Sequence, residues 1–268
     1  MIHYLCNVTM KYNKNNKLRV FTAFSGYDSQ CLALNRLKEL YPEFDYTLVG
    51  WSEIDDSAIQ AHNALFEDAK TLNLNDITKI MWTDVPDFDL FTYSFPCTDI
   101  SQAGKQAGLS KESGTRSSLL WECKKAIEIK RPRYLLMENV AALVSKKFIK
   151  DFHEWLQVLD RLGYESFSQV LNAKHYGVPQ NRERIFVVSI LRTEEEKNPK
   201  YYFPKPQPLQ LCLADVLEED VDEKYFLSDE MLARFCEKSM EEEYLAGKPQ
   251  GTLSGGEDEG FEDFFVCQ

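Results

Sequence analysis

The sequence predicts an α/β fold, a doubly wound, mostly parallel sheet with helices on both faces and a short acidic carboxyl-terminal appendage. Three observations predict it. Apolar runs of strand length alternate with helical patterns from residue 19 to residue 191, the order needed by parallel strands joined through crossover helices. Several of these runs are continuously apolar, as in strands covered on both faces. The charge then changes abruptly: residues 209–268 hold 17 Asp/Glu against 4 Lys/Arg, whereas residues 1–208 hold 26 against 27.

Residues 1–17 are read as a polar extension and 18–198 as the main domain, with 199–268 as connector and appendage. Arg19–Phe24 is the first strand, and Ser25-Gly26-Tyr27-Asp28 its turn. Ser29 is the expected cap of a helix from about Gln30, with Leu32, Leu34, Leu37 and Leu40 facing the sheet and Pro42 beyond its end. Tyr46–Trp51 is the second strand, and a helix is expected over Ser57–Phe66. Thr71–Asp76 is weakly patterned and reads as a short strand and loop, Asp89–Tyr93 as a stronger strand. A glycine- and lysine-bearing loop over 102–117 precedes a helix over Ser118–Lys130. Arg133–Met137, a helix over Lys150–Leu162, Tyr164–Leu171 and Arg184–Leu191 complete the pattern, with an antiparallel strand expected at the edge. Pro199–Pro208 is a stiff connector. Leu209–Glu219 and Ser228–Tyr244 read as short helices, and Gly251–Gly260 as a glycine/acid run without core residues.

Composition narrows the function. A hydrophobic fraction of 44% and an aromatic fraction of 13% suffice for a sheet core. No apolar stretch approaches the roughly 20 residues needed to cross a bilayer, so no membrane partner is expected. Seven scattered cysteines without a CxxC pair argue against a disulfide framework or a metal knuckle and fit a reducing, cytoplasmic setting. The net charge of −12 opposes nucleic acid only in its sum, because the first 208 residues are nearly neutral and can hold a local cationic groove.

Three constellations carry candidate chemistry. Pro96-Cys97-Thr98-Asp99-Ile100-Ser101 puts a thiol just past a strand's carboxyl end, where open α/β sheets place their ligands. Taken alone Cys97 could be one more buried thiol, but the capping groups around it suit a nucleophile that adds to an electron-poor carbon. Glu138 follows four apolar strand residues; it is either a solvent-facing strand-end acid or a carboxyl group poised to donate to a ring nitrogen. Arg182 and Arg184 alternate onto one side after Gln180, either as edge cations or as a fork for a base carbonyl or phosphate. Softer signals read either as a turn glycine, a strand-end acid and core isoleucines, or as a cofactor site without the GxGxxG spacing of a dinucleotide fold: Phe24, Ser25 and Gly26 at the first strand's end, Glu53 for ribose hydroxyls, and Ile54 against an adenine face. Asp76 would accept from an exocyclic amine, with Ile77 as a second apolar wall.

In this order the pieces resemble the C5-cytosine DNA methyltransferase family over residues 18–191. The resemblance rests on Phe21–Gly26, Glu53, Asp76-Ile77, Pro96–Ser101, Glu138-Asn139-Val140, and Gln180 with Arg182 and Arg184. It implies an S-adenosyl-L-methionine-dependent methyltransferase sheet and an enzyme, bacterial or phage-encoded, that flips cytosine out of duplex DNA. Cys97 would add to C6, Glu138 engage N3 and the exocyclic amine, Arg184 contact O2, and Arg182 join the neighbouring network. The loop after Ser101 would close over the base, and Phe24, Gly26, Glu53, Ile54, Asp76 and Pro96 would line the cofactor pocket. Two departures shape the expectations. Asp28 stands where the family carries a second loop glycine, so it would either crowd the cofactor carboxylate or cap the helix. Nothing after Leu191 resembles the family's recognition region or final helix, so the expectation is a degenerate short recognition region, a missing carboxyl-terminal part, or a second polypeptide as the partner that supplies them. A non-catalytic regulatory scaffold and a tRNA cytosine-C5 methyltransferase are the alternative readings.

Overall fold

The computed structural model describes residues 11–96 and 119–234. Six strands form one sheet in the order β2-β1-β3-β4-β6-β5: β1 (Leu18–Ala23), β2 (Tyr46–Ser52), β3 (Leu90–Tyr93), β4 (Tyr134–Val140), β5 (Tyr164–Asn172) and β6 (Glu183–Leu191). The helices are α1 (Ser29–Leu40), α2 (Asp56–Leu65), α3 (Leu120–Lys130) and α4 (Ile149–Arg161). Strands β1 to β4 are parallel, so their carboxyl ends share one edge of the sheet. After β2 the chain crosses back over β1 to form β3, which makes β1/β3 the point where strand order reverses. Crevices for ligands open at such points. Strand β6 pairs antiparallel with both β4 and β5. Its amino end, rather than its carboxyl end, therefore meets the edge where β1 to β4 finish, and that delivers Arg184 to the functional side.

The main core is aromatic. Phe21, Trp82, Phe88, Phe91 and Tyr93 pack with ring centroids 5.1 to 6.4 Å apart, and Trp155 of α4 meets Tyr93 edge-on at 6.2 Å. Helix α3 buries Leu120, Cys123, Ala126 and Ile127 and α4 buries Phe152, Trp155, Val158 and Leu159, in each case the one-sided stripe of a sheet-packed helix. Gly50 has a specific reason to be glycine. It pairs with Phe21 across β1 and β2, and a Cβ there would come within 2.7 Å of that buried ring. Gly50→Ala is therefore expected to cost about 1–3 kcal/mol by overpacking, read as a lower urea midpoint. An unchanged midpoint would show that the ring yields freely.

The predicted architecture holds, with local corrections. The cap of α1 is Asp28, not Ser29. Leu34 and Leu37 pack beneath α1, but Leu32 and Leu40 are exposed. Residues 67–72 form a 3-10 helix instead of a strand, leaving a lone bridge between Trp51 and Asn73. The last strand in sequence, β6, lies inside the sheet, and β5 takes the edge. Glu138 and Asn139 fall inside β4 rather than after it. The loop over 102–117 and the run Gly251–Gly260 lie outside the described residues.

The chain divides into two compact units, Met1–Ala173 with Asn181–Pro206, and Lys174–Gln180 with Gln207–Gln268. The first contains the sheet. In the second, the backbone N–H of Gln207 donates to His175 O at 2.9 Å, and short 3-10 turns occur at Leu213–Val216 and Glu223–Tyr225. None of its described residues is buried, and Tyr225 and Phe226 are exposed. The unit that holds the sheet runs on to Pro206 and leaves out residues 174–180.

Candidate active site

The candidate catalytic side of the site is built by the register of β3, β4 and β6. Tyr93 pairs with Met137, so the exit of β3 and Glu138 lie on adjacent strands at the same edge. Along β4 burial alternates, with Met137 and Asn139 buried and Glu138 on the other face. Glu138 Oε1 lies 3.1 Å from Arg184 Nε and 3.9 Å from Arg182 Nη2. The period-two spacing of the two arginines puts both guanidinium groups on one side, as the sequence predicts, and there both approach one oxygen of Glu138, a partner that spacing alone does not name. Arg182 is itself tied back: its N–H donates to Asn172 Oδ1 at 3.3 Å, and its carbonyl accepts from Ala173 N. Gln180 belongs to the second unit.

Asn139 has a distinct task. Its buried amide donates to Phe95 O at 3.0 Å, while its Oδ1 accepts from Val140 N at 2.9 Å. A strand-end asparagine therefore clamps the backbone immediately before Pro96, which is half-buried. Cys97 lies outside the described residues, as do Thr98 to Ser101.

The candidate cofactor side is a set of loops at the ends of β1 and β2. Three residues in five have left-handed backbone: Phe24 at φ 54°, Gly26 at φ 56° and Asp28 at φ 64°. For the two non-glycine residues that conformation costs roughly 1–2 kcal/mol each, and such strain persists only where surrounding contacts impose it. Glu53 imposes part of it. Its Oε2 accepts from Gly26 N at 2.9 Å, and its Oε1 from Ile54 N at 2.8 Å and Asp55 N at 2.9 Å. A carboxylate offers about four acceptor positions, so capacity remains for a hydroxyl.

Asn73, which the sequence reading missed, locks the neighbouring loop. Its Oδ1 accepts from Glu53 N and Asn75 N, and its Nδ2 donates to Glu53 O. The asparagines in Leu72-Asn73-Leu74-Asn75-Asp76 were its only signal, as local turn formers. Asp76 accepts from both the hydroxyl and the N–H of Thr78, and these bonds hold its carboxyl below the usual carboxylate range. It is thus an ionised acceptor. Ile54 is 70% exposed, an open apolar surface. Ile77, expected as a second wall, is 3% exposed and packs in the main core, because its 3-10 turn directs it inward.

The residues present fit an S-adenosyl group. Ser25 Oγ is buried with no hydrogen-bond partner, an orphan that a polar ligand atom would satisfy. A Cβ built at Gly26 would meet nothing within 4 Å, so the loop leaves open space. Asp28 does not intrude on it: the carboxylate is fully buried and caps α1 through Cys31 N at 3.1 Å. Of the two outcomes expected for Asp28, capping is the one observed.

Comparison with known proteins agrees. The profile of the C-5 cytosine-specific DNA methylases matches residues 18–251, reaching beyond Leu191, where the recognisable motifs end. The type II methyltransferase M2.ScrFI of Lactococcus lactis is 40% identical over 267 residues, covering 81% of this chain and 72% of that protein. The orphan methyltransferase M.SssI of Spiroplasma monobiae is 32% identical, covering 81% and 69%. Among solved structures, the Dnmt2 methyltransferase of S. pombe superposes with a TM-score of 0.60 at 19% identity, covering 82% of this chain and 66% of that one. The Entamoeba histolytica methyltransferase EhMeth gives 0.60 at 17%, covering 80% and 64%. At those identities the two structures establish the shared fold, and the chain spans about two thirds of their length. No helix among the described residues is long and apolar enough to cross a membrane. The chain belongs to the C5-cytosine-specific DNA methylases, the enzymes that carry a methyl group from S-adenosyl-L-methionine to C5 of cytosine in DNA.

Proposed function

We propose that this chain methylates C5 of a cytosine flipped from duplex DNA through a covalent Cys97 adduct, acting in the cytoplasm on nucleoid DNA. The carrying observation is the 3.1 Å contact between Glu138 and Arg184, one strand away from the β3 exit that leads to Cys97. A pyrimidine attacked at C6 accumulates electron density on N3 and O2. A carboxyl group held by a guanidinium, with a second cation nearby, is suited to stabilise that charge.

In this reading Glu138 takes up a proton from solvent as the base enters, Cys97 sulfur bonds to C6 while that proton passes toward N3, and Arg184 supports O2. The electron pair displaced to C5 makes that carbon nucleophilic. When bound, S-adenosyl-L-methionine supplies an electrophilic methyl group. A base then removes the C5 proton, the C5–C6 double bond re-forms, Cys97 departs as thiolate, and the N3 proton returns to Glu138. Ser25, Gly26, Glu53, Ile54 and Asp76 would hold the cofactor through the open loop, the acceptors and the exposed apolar face described above. Pro96, on the backbone fixed by Asn139, would border both ligands.

The test is transfer of tritiated methyl from S-adenosyl-L-methionine to a mixed-sequence DNA duplex, to the same duplex with every cytosine already 5-methylated, and to transfer RNA. Label is expected in the first alone. Label in the RNA alone would replace DNA by tRNA as the substrate. Absence of both transfer and cofactor binding would leave the scaffold reading. Transfer only after a co-encoded polypeptide is added would mean that a partner completes the enzyme.

A further inference from the structure

Asp28 and His62 are both fully buried, and neither takes part in the chemistry above. They face one another at the junction of β1, α1 and α2. Asp28 Oδ2 accepts from Thr22 Oγ1 of β1 at 2.8 Å and lies 3.5 Å from His62 Nε2 of α2. Its other oxygen caps α1 through Cys31 N. The Asp28 N–H donates to Ser25 O at 2.8 Å, across the turn that contains Gly26. His62 is held in turn by a stacked Trp51 ring, with centroids 3.7 Å apart and planes 14° off parallel, and Phe66 lies 5.0 Å away. Trp51 directly precedes Ser52 and Glu53, and its indole donates to Ala69 O at 2.8 Å.

This arrangement is expensive. A carboxylate at left-handed φ, shut away from water, costs several kcal/mol unless its partners are good, and glycine would meet the backbone demand without strain. Neither ring nitrogen of His62 has a conventional hydrogen bond, and Asp28 is its polar neighbour. Capping alone does not account for it, because an exposed cap residue such as the Asp55 that starts α2 does that work without a buried partner. What the buried pair adds is a link. It joins the Ser25–Gly26 turn, through Asp28 and His62, to Trp51 and so to the loop carrying Glu53. Gly26 N and Glu53 Oε2 close the same circuit directly.

We infer that Asp28 and His62 are a positioning pair for the cofactor, holding the Gly26 turn and the Glu53 loop at the separation that S-adenosyl-L-methionine requires. The inference rests on the cofactor-site reading above. The pair touches no substrate and performs no chemistry. It acts through Ser25, Gly26 and Glu53.

The experiment titrates S-adenosylhomocysteine into the full chain by calorimetry, for wild type, Asp28→Asn, His62→Ala and the double variant, with thermal midpoints measured alongside. Asp28→Asn keeps a cap acceptor and tolerates left-handed backbone but removes the charge facing His62. Each single variant is expected to weaken binding by about 10-fold, roughly the loss of one hydrogen bond to the cofactor when the loop shifts. The double variant should resemble the weaker single one, because the two side chains act as a unit. The KM for S-adenosyl-L-methionine should rise in parallel, while kcat at saturation and the KM for DNA stay within about 2-fold. If His62→Ala does not fold, Thr22→Val removes only the hydroxyl donated to Asp28 and should still weaken binding by about 3-fold. Variants that bind within about 2-fold of wild type despite lowered midpoints would reduce the pair to a packing device and overturn the inference. A wild-type chain that fails to bind S-adenosylhomocysteine would instead refute the cofactor site itself.

Discussion

Cys97→Ala is expected to abolish covalent capture of a duplex carrying 5-fluorocytosine and to lower methyl transfer by on the order of 10⁴-fold or more, the scale seen when a covalent nucleophile is removed. Fluorine at C5 cannot leave as a cation, so an adduct that forms and accepts a methyl group stays bonded to sulfur. Without the sulfur there is nothing to trap. Cofactor affinity should remain within about 2-fold, because the contacts assigned to it lie at the ends of β1 and β2. The two core thiols are poor substitutes. Cys31 and Cys123 are fully buried. Burial pushes both thiols well up, helped by Asp28 at Cys31 and by Glu122 at Cys123, so neither supplies thiolate near neutral pH. Cys97→Ser should also fail to trap, since a hydroxyl is a far weaker nucleophile without a dedicated base. A covalent band on denaturing gels from Cys97→Ala would disprove the assignment.

What the sequence disclosed and what it hid divide along a physical line. Strands β1, β3 and β6 were visible because burial on both faces leaves continuous apolar runs, and α3 and α4 because a one-sided stripe survives in composition. The convergence of Arg182 and Arg184 was visible because side chains in a strand alternate with period two, which needs no tertiary knowledge. The placement of Glu138 inside β4 was not. It depends on pairing with Phe186 of a strand almost fifty residues later, and backbone pairing leaves no hydropathy signal. The choice between Asp28 and Ser29 as the cap was hidden for a related reason. Ser29 is a good cap by residue type, but Asp28 wins because Thr22 and His62, distant in sequence, stabilise its buried carboxylate. Ile77 shows the reverse error, a residue placed on the ligand's side by motif and turned into the core by its 3-10 turn.

The charge of residues 209–268 has an electrostatic consequence. With 17 acids against 4 bases it repels phosphate, whereas the near-neutral remainder can place its cations locally. Arg182, with a half-exposed side chain beside Glu138, is such a cation.

The second large effect is expected at the ion pair across β4 and β6. Glu138→Gln and Arg184→Ala should each lower the single-turnover rate of methyl transfer by about 10²–10⁴-fold, the range for a positioned acid or a charge-stabilising donor. The KM for S-adenosyl-L-methionine should change little. Glu138→Gln keeps the shape and can still donate a hydrogen bond, but it cannot transfer a proton and leaves Arg184 without its carboxylate. Arg184→Ala leaves Glu138 with Arg182, whose closest approach is 3.9 Å, against 3.1 Å for Arg184. Because each side chain orients the other, the double variant should be no more than about 10-fold slower than the worse single one, far from the product of the two losses. Arg184→Lys sharpens the point: it preserves charge but not the planar guanidinium at Nε, so it should recover only a small part of the rate. If the double variant instead loses the full product of both factors, Glu138 and Arg184 act on the base independently, and their contact is incidental to the chemistry.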